Sequence, residues 1–211
     1  FNIQRQANLL FKKPSMKRKN SIARKKVKKK KLLFKDHKIL NFYTKFKSIV
    51  FKNIKNKSFA LAVSGGSDSL CLAYFTKIYA SEFGNKIHVL IVDHNLRKKS
   101  HQEALKVKAI LRKRRILSKI LSWKGKVPKS NIQKKARDIR YAMLSNYCLK
   151  NKVKYLITAH HGDDQIENFF IRLLRGSGLT GLSSMSVRAK YNNNLKIIRP
   201  FLSLEKKNLK Y

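Results

Sequence analysis

The sequence predicts an α/β domain, doubly wound around a mainly parallel sheet and preceded by a basic N-terminal extension. Three observations carry this expectation. Short apolar runs alternate with longer segments of helical spacing, the order expected of a sheet with crossover helices. The run Ile-His-Val-Leu-Ile-Val at 87–92 is almost continuously apolar, as suits a strand covered on both faces. Glycine- and acid-bearing turns follow the ends of these runs, where open α/β sheets bind their ligands.

Taken in order, residues 1–33 form a basic, acid-poor arm containing the run Lys25 to Lys31 (KKVKKKK). Like charges at this density resist packing, so the arm is expected to be disordered or to contact RNA. Between Phe34 and Lys52, Ile39, Phe42, Tyr43, Phe46, Ile49 and Val50 recur near helical spacing and predict a lead-in helix. Strands are expected at Phe59–Val63, Ile87–Val92, Ser118–Trp123 and Tyr155–Thr158. Helices are expected at Ser69–Ala80, Ser100–Arg115, Ile132–Lys150 and Asp164–Leu174. One folded domain is expected over 34–202. Residues 203–211 read as the start of a helix leading toward a further region, so the chain is expected to be a fragment.

Against 51 Lys and Arg there are 10 Asp and Glu, a formal net charge of +41. Self-repulsion at that level destabilises a compact state unless a polyanion or salt screens it, and nucleic acid is the matching partner. A Lys- and Asn-rich composition of the kind AT-rich coding produces is the plainer source of the same charge. Cys71 and Cys148 are far apart, sit in helical patterns and form no C-x-x-C pair, so buried free thiols are expected rather than a zinc ribbon or cluster. No apolar run approaches the roughly 18–20 residues that span a bilayer, so no membrane association is expected. With no secretory pattern at the N-terminus, a bacterial cytoplasm is the expected compartment, and an organelle stroma or matrix the alternative.

The most informative stretch is Ser64 to Ser69, SGGSDS, between the first strand and a helix. Gly65 and Gly66 allow a sharp turn and a close backbone approach to a ligand. Ser64, Ser67 and Ser69 add hydroxyls, and the helix N-terminus adds partial positive charge, which together suit an anion such as pyrophosphate. Asp68 would repel phosphate unless Mg²⁺ bridges the two. The loop is not a Walker A motif, because G-x-x-x-x-G-K-[ST] is absent. A Gly-Gly turn with a capped helix is the non-functional alternative.

Acids are scarce, yet Asp68, Asp93, Asp163, Asp164 and Glu167 all stand in the loop or at strand ends. Asp93 and His94 open the segment Val92 to Ser100, VDHNLRKKS, and either approach a nucleotide or cap a turn. Asp164 and Glu167, three apart, share a helix face and can hold an ammonium group between them; as first-turn acids they equally favour a helix start. His160 and His161 beside two aspartates suggest a metal, but adjacent histidines do not readily both face inward, and zinc spacing is absent.

SGGSDS resembles the signature of the ATP-pyrophosphatase (PP-loop) superfamily, whose fold is of the adenine nucleotide alpha hydrolase-like type. VDHNLRKKS, NIQKKARDIRY (131–141), AHHGDDQIEN (159–168), RLLRGSGLTGLSSM (172–185) and IIRPFL (197–202), in this order, resemble the consecutive blocks of tRNA(Ile)-lysidine synthetases over about Phe59 to Leu202. Asn95 departs from that pattern, which has glycine there, so its backbone is expected to turn left-handed, a conformation Asn tolerates better than most residues.

The resemblance implies a ligase using ATP and Mg²⁺. The wobble cytidine of a CAU-anticodon tRNA(Ile) is adenylated at its C2 carbonyl with loss of pyrophosphate, and free L-lysine then displaces AMP. It further implies that Ser64, Gly65, Gly66, Ser67, Asp68, Ser69, Asp93 and His94 bind ATP, with Asp68 near Mg²⁺. Asp164 and Glu167, with His160, would hold or deprotonate the lysine amine. Arg137 and Arg140 would neutralise phosphate charge, although surface solvation is the plain reading for one of them. Arg175 and Arg199 would meet tRNA phosphates. The alternatives are a thiolase-type PP-loop tRNA-modifying enzyme, an amide-forming PP-loop synthetase, or a non-catalytic basic RNA-binding protein. Relatives of this kind carry further C-terminal domains that help select tRNA, so weak tRNA discrimination is expected of this chain alone.

Overall fold

The computed structural model describes residues 34, 36–97, 99–125, 130–162 and 185–202. The described residues fall into two units that divide between Thr44 and Lys45. Described residues of the first unit carry the start of helix α1 (His37–Ile54), where the Asp36 carboxylate accepts from the Lys38 N–H at 2.7 Å and caps the first turn. From Lys45 onward α1 belongs to the second unit.

In chain order the second unit continues with β1 (Phe59–Val63), α2 (Ser67–Phe83), β2 (Ile87–Asp93), α3 (Ser100–Lys113), β3 (Ser118–Ser122), α4 (Ile132–Lys150), β4 (Tyr155–Ile157), β5 (Arg188–Asn192) and β6 (Leu195–Ile198). The described strands form one six-stranded sheet in the order β3-β2-β1-β4-β6-β5. All neighbours are parallel except β5, which runs antiparallel to β6 along the edge. The winding runs outward from β1 in both directions, so the switch point lies between β1 and β4.

Alternation along β1 sends side chains to two cores. Ala60 packs with Leu90, Leu144, Cys148, Leu156 and Ile197 beneath α4. Phe59 faces the opposite way, its ring 6.4 Å from Tyr79 of α2. On that side Phe46, Phe75 and Phe201 meet with centroids 5.5–6.1 Å apart, in tilted and edge-on geometries suited to aromatic quadrupoles. The central strand is thus covered on both faces, as the apolar runs predict.

β1 and α4 have the bounds expected from sequence, and α2 begins two residues earlier than expected, at Ser67. Gly66 occupies its N-cap in an extended conformation, and Gly84 closes it at φ 69°, the left-handed C-terminal stop. β5 and β6 are not among the strands expected from sequence. β5, Arg-Ala-Lys-Tyr-Asn, is mostly exposed and lacks apolar alternation, so its strand character comes from pairing with β6. The N-terminal arm, the segment 163–184 with its expected helix, and residues 203–211 lie outside the described residues.

Candidate active site

Loop Ser64–Gly66 leaves the end of β1 and Thr158–His161 leaves the end of β4, so the two sides of the switch point meet. A cavity of about 760 Å³ opens there, lined by the β1 loop, the first turn of α2, His94, Arg140, Tyr141 and Thr158–His161. Its size falls within the range of small-molecule sites.

The two loop glycines have different physical roles. Gly65 has φ +93°, and a Cβ built there would stand 2.4 Å from Val107 Cγ2 of α3. Both backbone strain and close helix approach therefore require glycine. Gly66 has an ordinary backbone, and a Cβ there would meet only Ser64 Oγ at 3.9 Å. Its missing side chain keeps the cavity open beside the first-turn N–H groups of α2, which have no intrahelical acceptor.

Ser69 is buried, and its Oγ donates to the Gly66 carbonyl (2.9 Å) while accepting from the N–H groups of Ser64 (3.2 Å) and Gly65 (3.1 Å). It pins the loop from within and also lines the cavity. Ser64, Gly66 and Asp68 face the cavity with it. Asp68 Oδ1 accepts from the Ser67 hydroxyl at 3.1 Å. Its Oδ2 lies 3.4 Å from Nε2 of His161, a residue only 5% exposed. This contact ties the β1 loop to the β4 end across the switch point.

Asp93 turns away from the cavity. It is 3% exposed, and its carboxylate accepts from the Asn95 N–H (2.9 Å) and the Ser100 hydroxyl, with His101 Nδ1 at 3.0 Å. Burial pushes its pKa up, but the bonds from Ser100, Asn95 and His101 outweigh that and leave it below the ordinary value. Asp93 thus shapes the loop after β2. Asn95 sits at φ 51°, the left-handed conformation expected there.

His94 does line the cavity. Arg140 Nε and Nη2 approach its Nε2 at 3.3 and 3.2 Å. Because a guanidinium only donates, Nε2 is an acceptor and the ring proton belongs on Nδ1. Burial, then Arg140 and Arg97, lower the His94 pKa against the opposing Asp93, so the ring is neutral at pH 7.

The two arginines of α4 separate. Arg140 reaches the cavity, whereas Arg137 lies over the Tyr141 ring, its guanidinium carbon 5.3 Å from the centroid. Arg199, expected to meet tRNA phosphate, is 7% exposed and donates from Nη1 to the Ser186 carbonyl at 3.0 Å. It braces the β5–β6 hairpin from inside. His160 and His161 both line the cavity, contrary to the expectation that adjacent histidines would not share one side. No cluster of three metal-binding side chains occurs among the described residues. Asp164, Glu167 and Arg175 lie outside them. His161 and Tyr141 are not among the site residues expected from sequence, although both stand in the quoted blocks 159–168 and 131–141.

A parallel sheet with an anion cradle at its switch point defines an α/β nucleotide-binding protein of the phosphate-loop kind without a Walker lysine. The chain belongs to the PP-loop domain family, whose model matches residues 38–211. It is 45% identical over 156 residues to the tRNA(Ile)-lysidine synthase of Orientia tsutsugamushi, covering 74% of this chain and 35% of the relative. With the tRNA(Ile)-lysidine synthase of Rickettsia akari it shares 41% over 170 residues, 79% of this chain and 39% of the relative. The chain therefore spans between a third and two fifths of these relatives' length. Among solved structures it is similar to the U34-tRNA thiolase NcsA of Methanococcus maripaludis, with TM-score 0.68 at 18% identity over 82% of this chain and 62% of that one. The NMN synthetase of Francisella tularensis follows at TM-score 0.51 and 14% identity over 81% of this chain and 67% of that one. At such identities the two structures speak for the fold alone.

Proposed function

We propose that this chain is the nucleotide-activating catalytic domain of a tRNA(Ile)-lysidine synthase, a bacterial cytoplasmic ligase acting on ATP, free lysine and a CAU-anticodon tRNA(Ile). The observation that carries the reading is the cradle of Gly65, Gly66 and Asp68 at the switch point, in a chain 45% identical to a lysidine synthase over most of its length. The name of that relative carries tRNA(Ile) and lysidine, and the cradle offers a place for the leaving pyrophosphate.

The cytosine C2 carbonyl is a poor electrophile without a leaving group. Transfer of the ATP α-phosphoryl group to its oxygen releases pyrophosphate and creates one. Attack of the lysine ε-amine at C2 then breaks the C2–O bond and releases AMP. Little side-chain acid–base chemistry is needed, and positioning with charge neutralisation does most of the catalysis. Gly66 and the first-turn N–H groups of α2 receive the pyrophosphate. Arg140, held against His94, brings positive charge to the same cavity. Asp164 and Glu167, with His160 on the cavity wall, are assigned to the lysine ammonium.

Asp68 fits a divalent cation: a hard, partly exposed carboxylate beside an anion cradle suits Mg²⁺, which takes one or two carboxylates together with phosphate oxygens. Bound there, Mg²⁺ supplies charge neutralisation for the phosphates.

The thiolase-type alternative is disfavoured by the cysteines. Cys71 and Cys148 are free and buried, and burial pushes their thiols up to about 12 and about 11. Neither presents a thiolate at neutral pH.

The test is incubation of the chain with ATP, Mg²⁺, radiolabelled lysine and CAU-anticodon tRNA(Ile). Label is expected to enter the tRNA and to be lost with Asp68→Ala. Absence of label from a folded, ATP-binding wild-type protein carrying the relatives' remaining length would refute the reading.

A further inference from the structure

The edge strand β5 carries an exposed aromatic that the core does not use. Tyr191 is 41% exposed, and its ring stacks on Tyr141 with centroids 5.5 Å apart and an interplanar angle of 25°. Tyr141 is 7% exposed and lines the cavity, while Arg137 lies over its ring. Asn192 Nδ2 donates to Ser145 Oγ of α4 at 3.0 Å, which holds the hairpin against the helix. An aromatic path therefore leads from the cavity wall to the surface.

Charge surrounds this path with one sign. Arg188, Lys190 and Lys196 lie on the hairpin, which has no acid, and Arg137 is exposed on α4, whose single acid is Asp138. Lysines and arginines on an edge strand have an ordinary purpose, blunting edge-to-edge pairing. An exposed tyrosine works against that purpose, so the ring needs a different explanation. A flat ring beside mobile cations is the chemistry that receives an unpaired base and its phosphate. Paired bases offer no free face to such a ring.

We infer that Tyr191, backed by Tyr141, is a stacking platform for an unpaired RNA nucleotide next to the one that enters the cavity, with Lys190 and Arg137 meeting its phosphates. This rests on the reading of the chain as an RNA-modifying enzyme, and deepens it by placing the RNA on the β5 side of the cavity.

The experiment measures fluorescence anisotropy of the full chain with two labelled probes, an anticodon stem–loop bearing CAU in its loop and a blunt RNA duplex, alongside ATP affinity and melting temperature. Tyr191→Ala is expected to weaken stem–loop binding on the order of ten-fold, the scale of one lost base–aromatic stack. Duplex binding and ATP affinity stay at wild-type values. Tyr191→Phe retains stem–loop binding, and Tyr191→Leu, which keeps apolar bulk without a π-face, loses it as Ala does. Lys190→Ala weakens both probes and flattens the salt dependence by about one unit of slope. Wild-type stem–loop affinity in Tyr191→Ala, an equal loss for both probes, or retention by Leu overturns the platform while leaving the enzyme reading intact. A wild-type chain that binds ATP but neither RNA overturns both.

Discussion

Replacing Gly65 by alanine tests the geometry of the anion cradle at its most constrained point. Two costs add at this position. A non-glycine residue at φ +93° sits in a sparsely populated region, which costs about 1–3 kcal/mol. The new Cβ stands 2.4 Å from Val107 Cγ2, and forcing a methyl group into packed surroundings costs about 1–3 kcal/mol more. Gly65→Ala is therefore expected to lose roughly 2–6 kcal/mol of stability, with a displaced loop and weakened ATP binding. Val107→Ala separates the two costs because it removes the methyl that Cβ strikes and leaves φ unchanged. In that background Gly65→Ala should cost only the backbone share, giving a favourable coupling of about 1–3 kcal/mol in a double-mutant cycle. Urea denaturation of the four proteins, with ATP binding by calorimetry, provides the measurement. Additivity within about 0.5 kcal/mol would show that α3 does not press on the loop, and would refute the close-approach argument.

Three further outcomes follow from the site. His161→Ala should lower ATP–pyrophosphate exchange on the order of a hundred-fold through misplacement of Asp68, and His161→Gln, which keeps an N–H donor, should recover part of kcat; equal loss in both variants at unchanged melting temperature would argue against a positioning role. Asp93→Asn should cost about 1–3 kcal/mol at pH 7 by weakening the bonds within the β2 loop. Because the folded pKa of Asp93 lies below its ordinary 3.8, its contribution is full above that value and is lost as pH falls through the folded one, so wild-type and variant urea midpoints should converge in strong acid; parallel curves would contradict this. Cys71 and Cys148, with thiols raised to about 12 and about 11, should take up iodoacetamide only after denaturation, as read by mass spectrometry, and rapid native labelling would contradict their burial.

What the sequence determined by itself is the local order: strands wherever apolar runs are short and unbroken, helices wherever apolar residues recur at helical spacing, and a glycine loop at the junction of β1 and α2. These features are written within a few residues of one another, which is why β1 and α4 have the expected bounds and Asn95 the expected left-handed turn. Side-chain assignments depend on residues distant in sequence, and here only the tertiary structure decided. Asp68 and Asp93 both follow strands, yet Asp68 faces the cavity and His161, while Ser100 and His101 enclose Asp93. Arg199 reads as a surface cation until the β5–β6 hairpin buries it. Tyr191 has no role assigned from sequence, and only β5 sets its ring on Tyr141. Gly65 and Gly66 are neighbours of one type, and Val107, brought up by the packing of α3, is what makes the first indispensable on steric grounds. Backbone preference is local, whereas burial and charge pairing belong to whatever the fold places opposite.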